Sequence, residues 1–257
     1  MFPVGDEIPR LGTPWMTAFI VSGMFAVWVL VQGAGLNERV LVTSVCNLGM
    51  VPGELTHLAP LGTAVPVSRD LACVVDNDPV NVLTPLISLF LHGGWGHILG
   101  NALFLWVFGR GIEAVMGPSR YLLFYLICGL AAAAVHVAVA PASPIPTVGA
   151  SGAISGVMGA YLVLYPRVRV RMFFYFLIFF KVIPLPAWLV LLWWFGLQLL
   201  TGLPQILSPS PEIAGGGGVA VWAHVGGFVA GVILVKWFER PGAARALRRR
   251  YGPRTEP

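Results

Sequence analysis

The chain has 257 residues, 57% of them hydrophobic and 11% charged, with mean hydropathy +0.80 and a formal net charge of +5. Soluble globular domains carry about 25% charged residues, and here apolar runs recur along the whole length. A soluble fold is excluded, and the composition is that of a multi-pass membrane protein whose bilayer replaces most of the usual core.

In chain order, residues 1–14 read as a cytoplasmic N-terminus; Asp6 and Glu7 argue against an Arg-rich transit peptide. The run from Trp15 lacks a cleavage site and reads as a spanning helix rather than a signal peptide. Windows of about 20 apolar residues predict six spans, near 15–33, 94–113, 121–140, 149–165, 186–203 and 219–238. The expected fold is an all-α polytopic bundle of six transmembrane helices over residues 15–240, with a basic cytoplasmic tail at 241–257. A long first loop, 34–93, and the short loop PASPIPTV separate the early spans. The apolar run at 172–180 is too short to cross and is expected to lie against the membrane or the bundle.

The three cysteines, Cys46, Cys73 and Cys128, form no CxxC or Cys/His cluster, so no metal or other cofactor is implied. Cys128 lies inside a span, where packing explains it. Cys46 and Cys73 share the first loop; in a bacterial inner membrane that loop would face the oxidising side, which allows a disulfide.

With six crossings both termini share one side, and that side holds all Lys and Arg except Arg39 and Arg69. The positive-inside rule puts it in the cytoplasm. The tail RALRRRYGPR is therefore a topology anchor or an anionic-lipid contact, with no need for nucleic acid.

Polar groups inside the spans are the informative residues, because lipid makes them expensive. His97 and Asn101 lie four apart on one face of the second span, Ser151 and Ser155 open the fourth, and His224 opens the sixth. These spans run the same way, and His97, Ser151 and His224 are each expected three to five residues in, or about 5–8 Å deep. Each alone has a packing or helix-bridging explanation. Together they form one polar layer. Small-residue faces at Gly152, Gly156 and Ala160, and at Ala223, Gly227 and Gly231, would let the fourth and sixth helices touch and bring Ser151 to His224. A serine is a weak nucleophile until a base takes its proton, and histidine is the natural base. No Asp or Glu lies at this depth, so the expected unit is a dyad without a carboxylate orienter. Backbone N–H groups at the start of the fourth helix, with His97 and Asn101, would receive the oxyanion.

These residues closely resemble the rhomboid intramembrane serine proteases. The resemblance rests on H-x4-H-x3-N at His92, His97 and Asn101, on GASG at 149–152, and on AHVGGFVAG at 223–231. It extends to GRGIEAVMG at 109–117, with Arg110 and Glu113 in their expected places. It implies Ser151 as nucleophile, His224 as general base, and an oxyanion hole of His97, Asn101 and the Gly149 and Ser151 backbone. His92, Arg110, Glu113, Gly227 and Gly231 would be structural. It further implies single-pass transmembrane substrates, cut near the outer face without metal, and contact with membrane lipid. Two features depart from the family: VLTPLISLF stands where many members carry Trp-Arg, and Ser155 stands where well-known members stack an aromatic on the catalytic His.

The alternative is a catalytically inactive rhomboid-like protein that binds membrane clients, but such relatives typically lose the serine or histidine kept here. A solute transporter is disfavoured because the polar groups cluster at one face, without paired half-helices. The charge asymmetry makes a direct prediction: reporter fusions near Val67 and after Arg250 should fall on opposite sides of the membrane. Fusions reporting the same side would overturn the six-span topology.

Overall fold

The computed structural model describes residues 2–8, 12–68, 70–76, 81–176, 179–207, 220–243 and 246. Arg10, Arg69, Asp78, the loop bearing Glu212 and the arginine-rich tail from Arg245, except for Ala246, lie outside the described residues. Among the described residues six apolar helices pack together: α1 (Trp15–Leu30), α5 (Trp95–Met116), α6 (Pro118–Val139), α7 (Ser151–Leu164), α8 (Ala187–Leu207) and α9 (Val221–Phe238). Short helices α2 (Glu38–Leu48), α3 (Pro52–Leu55) and α4 (Thr84–Ile87) lie in the first loop. Helices α5, α6, α8 through Pro204, and α9 are long and apolar enough to cross a membrane; α1 and α7 are apolar but shorter, at 16 and 14 residues.

Helix α7 is the centre of the bundle, with every residue from Gly152 to Tyr161 buried. Its contact with α9 is made by glycines. A Cβ on Gly227 would strike the carbonyl oxygen of Gly152, one on Gly231 that of Gly156, and one on Gly159 that of Phe228. On the other side of α7, Gly156 leaves room for Cys128 of α6. Lipid tails give no hydrophobic drive to helix association, so backbones must approach closely for dispersion to hold them together.

Polar groups pin the end of the bundle opposite the polar layer. The α1 N-terminus has no side-chain cap of its own. Instead the Glu113 carboxylate, near the end of α5, accepts from the N–H groups of Met16 and Thr17 at 2.9 and 2.8 Å and from the Thr17 hydroxyl at 2.7 Å. This satisfies donors that every helix start leaves open. Arg110, one turn earlier, pairs with Asp6 at 3.1 Å, and the Tyr161 hydroxyl donates to the other Asp6 oxygen at 2.8 Å. Burial pushes the Asp6 carboxyl up, opposed by the Tyr161 hydroxyl and the Arg110 charge.

The all-helical expectation misses two small sheets. Most of the run at 172–180, expected to lie against the membrane or the bundle, falls in two paired strands, β4 (Arg169–Phe176) and β5 (Phe179–Pro186), with β1 (Phe2–Asp6) on the other edge of β4. A period-2 pattern explains it: Val170 and Met172 are buried while Arg169 and Arg171 face out. Residues 2–6 thus form an edge strand docked on the bundle. In the first loop, β2 (Ala64–Pro66) pairs with β3 (Ala72–Val74), and Cys46 of α2 is disulfide-bonded to Cys73, with Cα atoms 5.3 Å apart. Met50 and Thr147 exchange backbone hydrogen bonds at 3.0 and 2.7 Å, and the Gly53 N–H donates to the Ser143 carbonyl at 2.8 Å. The stapled first-loop lobe is thereby joined to the segment that leads into Ser151.

A thiol-specific polymer reagent should leave the native, non-reduced protein unshifted on a gel, and should add two labels after reduction. Buried Cys128 should react only after unfolding. Labelling of Cys46 or Cys73 before reduction would contradict the bond.

Candidate active site

Three helix starts build the site. Helix α5 begins after Gly93 and Gly94, and His97 is its third residue. The Gly93 N–H points at His97 Nδ1, 3.3 Å away, so the neutral ring carries its proton on Nε2, which faces Gly149. One turn on, Asn101 is buried, and its Nδ2 has no hydrogen-bond partner among the described residues.

Helix α7 begins at Ser151 itself rather than three to five residues before it. Gly149, at φ +124°, cannot be helical, so the helix starts two residues later than its small-residue composition suggests. The Gly149 N–H, expected to serve the oxyanion, instead donates to the Ser88 carbonyl at 2.8 Å. That expectation is corrected: Gly149 is needed for room, because a Cβ there would lie 2.6 Å from His97 Nε2. The Ser151 N–H remains at the first turn of α7, where helix donors lack intrahelical acceptors. The Ser155 hydroxyl donates back to the Ser151 carbonyl at 2.6 Å, a bond within the helix.

Helix α9 supplies His224 as its fourth residue, 9% exposed. Its Nε2 lies 2.8 Å from Ser151 Oγ, and its Nδ1 lies 2.9 Å from Gln198 Oε1 of α8. The Trp194 ring, one turn before Gln198, lies 5.8 Å from the imidazole at 39°. Ser151, His224, His97 and Asn101 line one cavity of about 360 Å³, with Met50 of the first loop at its edge.

Gly149, Gly152, Ser155 and Ala223 line this cavity too, whereas His92, Arg110, Glu113, Gly227 and Gly231 do not. His92 is buried behind His97, with ring centroids 5.1 Å apart. Its backbone is clamped by Gln32, which accepts from the His92 N–H at 2.8 Å and donates to its carbonyl at 2.8 Å. Arg110 and Glu113 sit at the far end of α5, and Gly227 and Gly231 at the α7–α9 contact. Sequence reasoning passed over Gln198, Trp194, Gln32 and His136, whose Nε2 lies 3.1 Å from the Thr147 hydroxyl. The signal for Gln198 was a single amide within the apolar run WWFGLQLL. No periodicity names its partner.

Among known proteins, the Rhomboid domain matches residues 80–240, and the chain belongs to the rhomboid family. It is 38% identical over 95 residues to Rhomboid protease GluP of Bacillus subtilis (strain 168), a match covering 37% of this chain and 18% of that protein. It is 29% identical over 170 residues to RHOMBOID-like protein 12, mitochondrial, of Arabidopsis thaliana, covering 60% of this chain and 45% of that protein. A third relative, Rhomboid protein 1, mitochondrial, of Saccharomyces cerevisiae (strain ATCC 204508 / S288c), is 29% identical over 111 residues, 41% of this chain and 30% of its own. The chain thus spans less than half the length of each of these relatives. Membership makes it a rhomboid membrane protein.

Gly149 makes a sharp prediction. Gly149→Ala adds a Cβ against His97 at a backbone angle that disfavours one, which should lower stability by more than about 1 kcal/mol. Gly100→Ala, in α5 with open space around it, should be neutral or stabilising by up to about 1 kcal/mol. Equal thermal midpoints for Gly149→Ala and wild type would contradict the packing.

Proposed function

We propose that this chain is an active serine endopeptidase that cleaves transmembrane segments within the bilayer, with Ser151 as nucleophile and His224 as general base. The observation that carries the proposal is the 2.8 Å approach of His224 Nε2 to Ser151 Oγ in a cavity with an unpartnered buried donor. His224 Nε2 takes the hydroxyl proton as Oγ attacks the scissile carbonyl carbon. Negative charge builds on the carbonyl oxygen, where the Ser151 N–H, Asn101 Nδ2 and His97 Nε2–H are the available donors. Such preorganised donors are worth most where water is excluded. The imidazolium then protonates the leaving amine, leaving an acyl-enzyme on Ser151. A water, deprotonated by the same nitrogen, attacks the ester, and the imidazolium returns that proton to Ser151 Oγ as the acid leaves.

Peptide attack needs an extended backbone, whereas an intact helix hides its carbonyls in internal hydrogen bonds. The proposed substrates are therefore single-pass transmembrane proteins whose segments unwind cheaply, with small residues at the cut and Gly, Pro or Ser nearby. The positive-inside charge pattern supports cytoplasmic termini and a cavity opening toward the outer face, as in a bacterial inner membrane. Membrane lipid is then the immediate surroundings of every span.

Turnover of one detergent-solubilised model substrate tests the roles, with thermal unfolding as folding control. Ser151→Ala, His224→Ala and the double variant should share nearly the same residual activity, because the pair acts as one unit. Asn101→Ala and His97→Ala should keep partial activity, reduced about 100- to 1,000-fold. A serine-directed phosphonate should label wild type and not Ser151→Ala. Wild-type turnover by His224→Ala would remove the dyad, and absent labelling of wild type would favour an inactive client-binding protein.

A further inference from the structure

The structure assigns Gln198 a role at this site: we infer that its side-chain carbonyl is the positioning group that holds His224 in the protonation tautomer able to activate Ser151. The inference rests on the Ser151–His224 reading above. Histidine has two distinct ring nitrogens, and the partner of one decides which carries the proton. With Gln198 Oε1 2.9 Å from Nδ1, the ring proton sits on Nδ1 and donates to the amide. Nε2 is then an acceptor facing Ser151 Oγ at 2.8 Å, the arrangement a general base needs. The position usually filled by a carboxylate in serine hydrolases is here a neutral amide on a neighbouring helix.

The surroundings explain why an amide serves. Among the described residues, the other titratable groups that act electrostatically on the ring are His97 of α5 and His136 of α6. Helix α8 carries exposed apolar side chains such as Trp193, Leu197 and Leu200, so a carboxylate on it would sit among groups suited to lipid, where ionised side chains are expensive. An amide avoids that charge but brings an ambiguity. Turned over, it would present N–H to Nδ1, drive the ring proton to Nε2 and switch the base off. Trp194, on the same face of α8 one turn away, covers the ring, so both contacts on the imidazole from this side come from one helix. The aromatic missing at Ser155 is replaced by a hydrogen bond and an indole from α8.

The test uses the full-length protein in detergent, with Gln198→Met to remove the acceptor at nearly constant shape and Gln198→Glu to keep it. General-base catalysis contributes about 100- to 10,000-fold, and loss of its orienter should remove part of that. Gln198→Met should lower kcat about tenfold or more, with KM and thermal midpoint near wild type. Gln198→Glu should restore turnover, and the acid limb of its pH–rate profile should move to higher pH, because a carboxylate stabilises the imidazolium. Nitrogen-15 spectra of His224 give a readout independent of activity: wild type should hold the proton on Nδ1, and Gln198→Met should lose that preference. Unchanged kcat, or an unchanged tautomer in Gln198→Met, would overturn the inference. If neither wild type nor Ser151→Ala cleaves substrate while the tautomer still depends on Gln198, the protease reading fails and the positioning role stands.

Discussion

The contact between α7 and α9 is backbone against backbone, and the site depends on it. Gly152 and Gly156 on one helix meet Gly227 and Gly231 on the other with no space for a Cβ. In lipid, such proximity is what makes two helices adhere, since burying apolar side chains gains nothing over leaving them in acyl chains. The same glycines set the chemistry. Ser151 precedes Gly152, and His224 lies three residues before Gly227, so the helix separation that lets backbones touch also fixes a hydroxyl and an imidazole at hydrogen-bonding distance.

Several polar groups of the bundle follow one rule. Glu113 is surrounded by the donors of α1, Gln32 by the His92 backbone, Asp6 by Tyr161 and Arg110, and each is thereby excused from the penalty of an unmet polar group. Other buried atoms, such as Trp28 Nε1 and the Tyr125 hydroxyl, have no hydrogen-bond partner among the described residues, and Asn101 Nδ2 is the one of these at the wall of the cavity that Ser151 faces. An unmet donor is destabilising in the resting protein. It becomes favourable when negative charge appears beside it, which is how an oxyanion site gains its effect in the transition state.

The first loop reaches that wall, where Met50 and Ser88 line the cavity. Its disulfide joins α2 to the β2–β3 hairpin, and the paired bonds between Met50 and Thr147 pass its position to the segment ending at Gly149.

The sequence alone determined the membrane class, the approximate helix positions and the layer of Ser151, His224, His97 and Asn101, because hydropathy, small-residue spacing and rare intramembrane polar groups are all local in the chain. It could not decide where α7 begins, since that turns on the left-handed angle of Gly149 and on Ser88 taking its N–H. Nor could it reveal the three-stranded sheet. The alternation in VRVRM was legible, but the pairing of Phe2 with Phe173 spans most of the chain, and register across such a gap is set by tertiary packing. Gln198 is the sharpest case: an amide in an apolar run has many bland uses, and only the docking of α8 on α9 decided that it meets a histidine 26 residues away. Local pattern fixes which residues are costly in lipid; tertiary structure decides which of them meet.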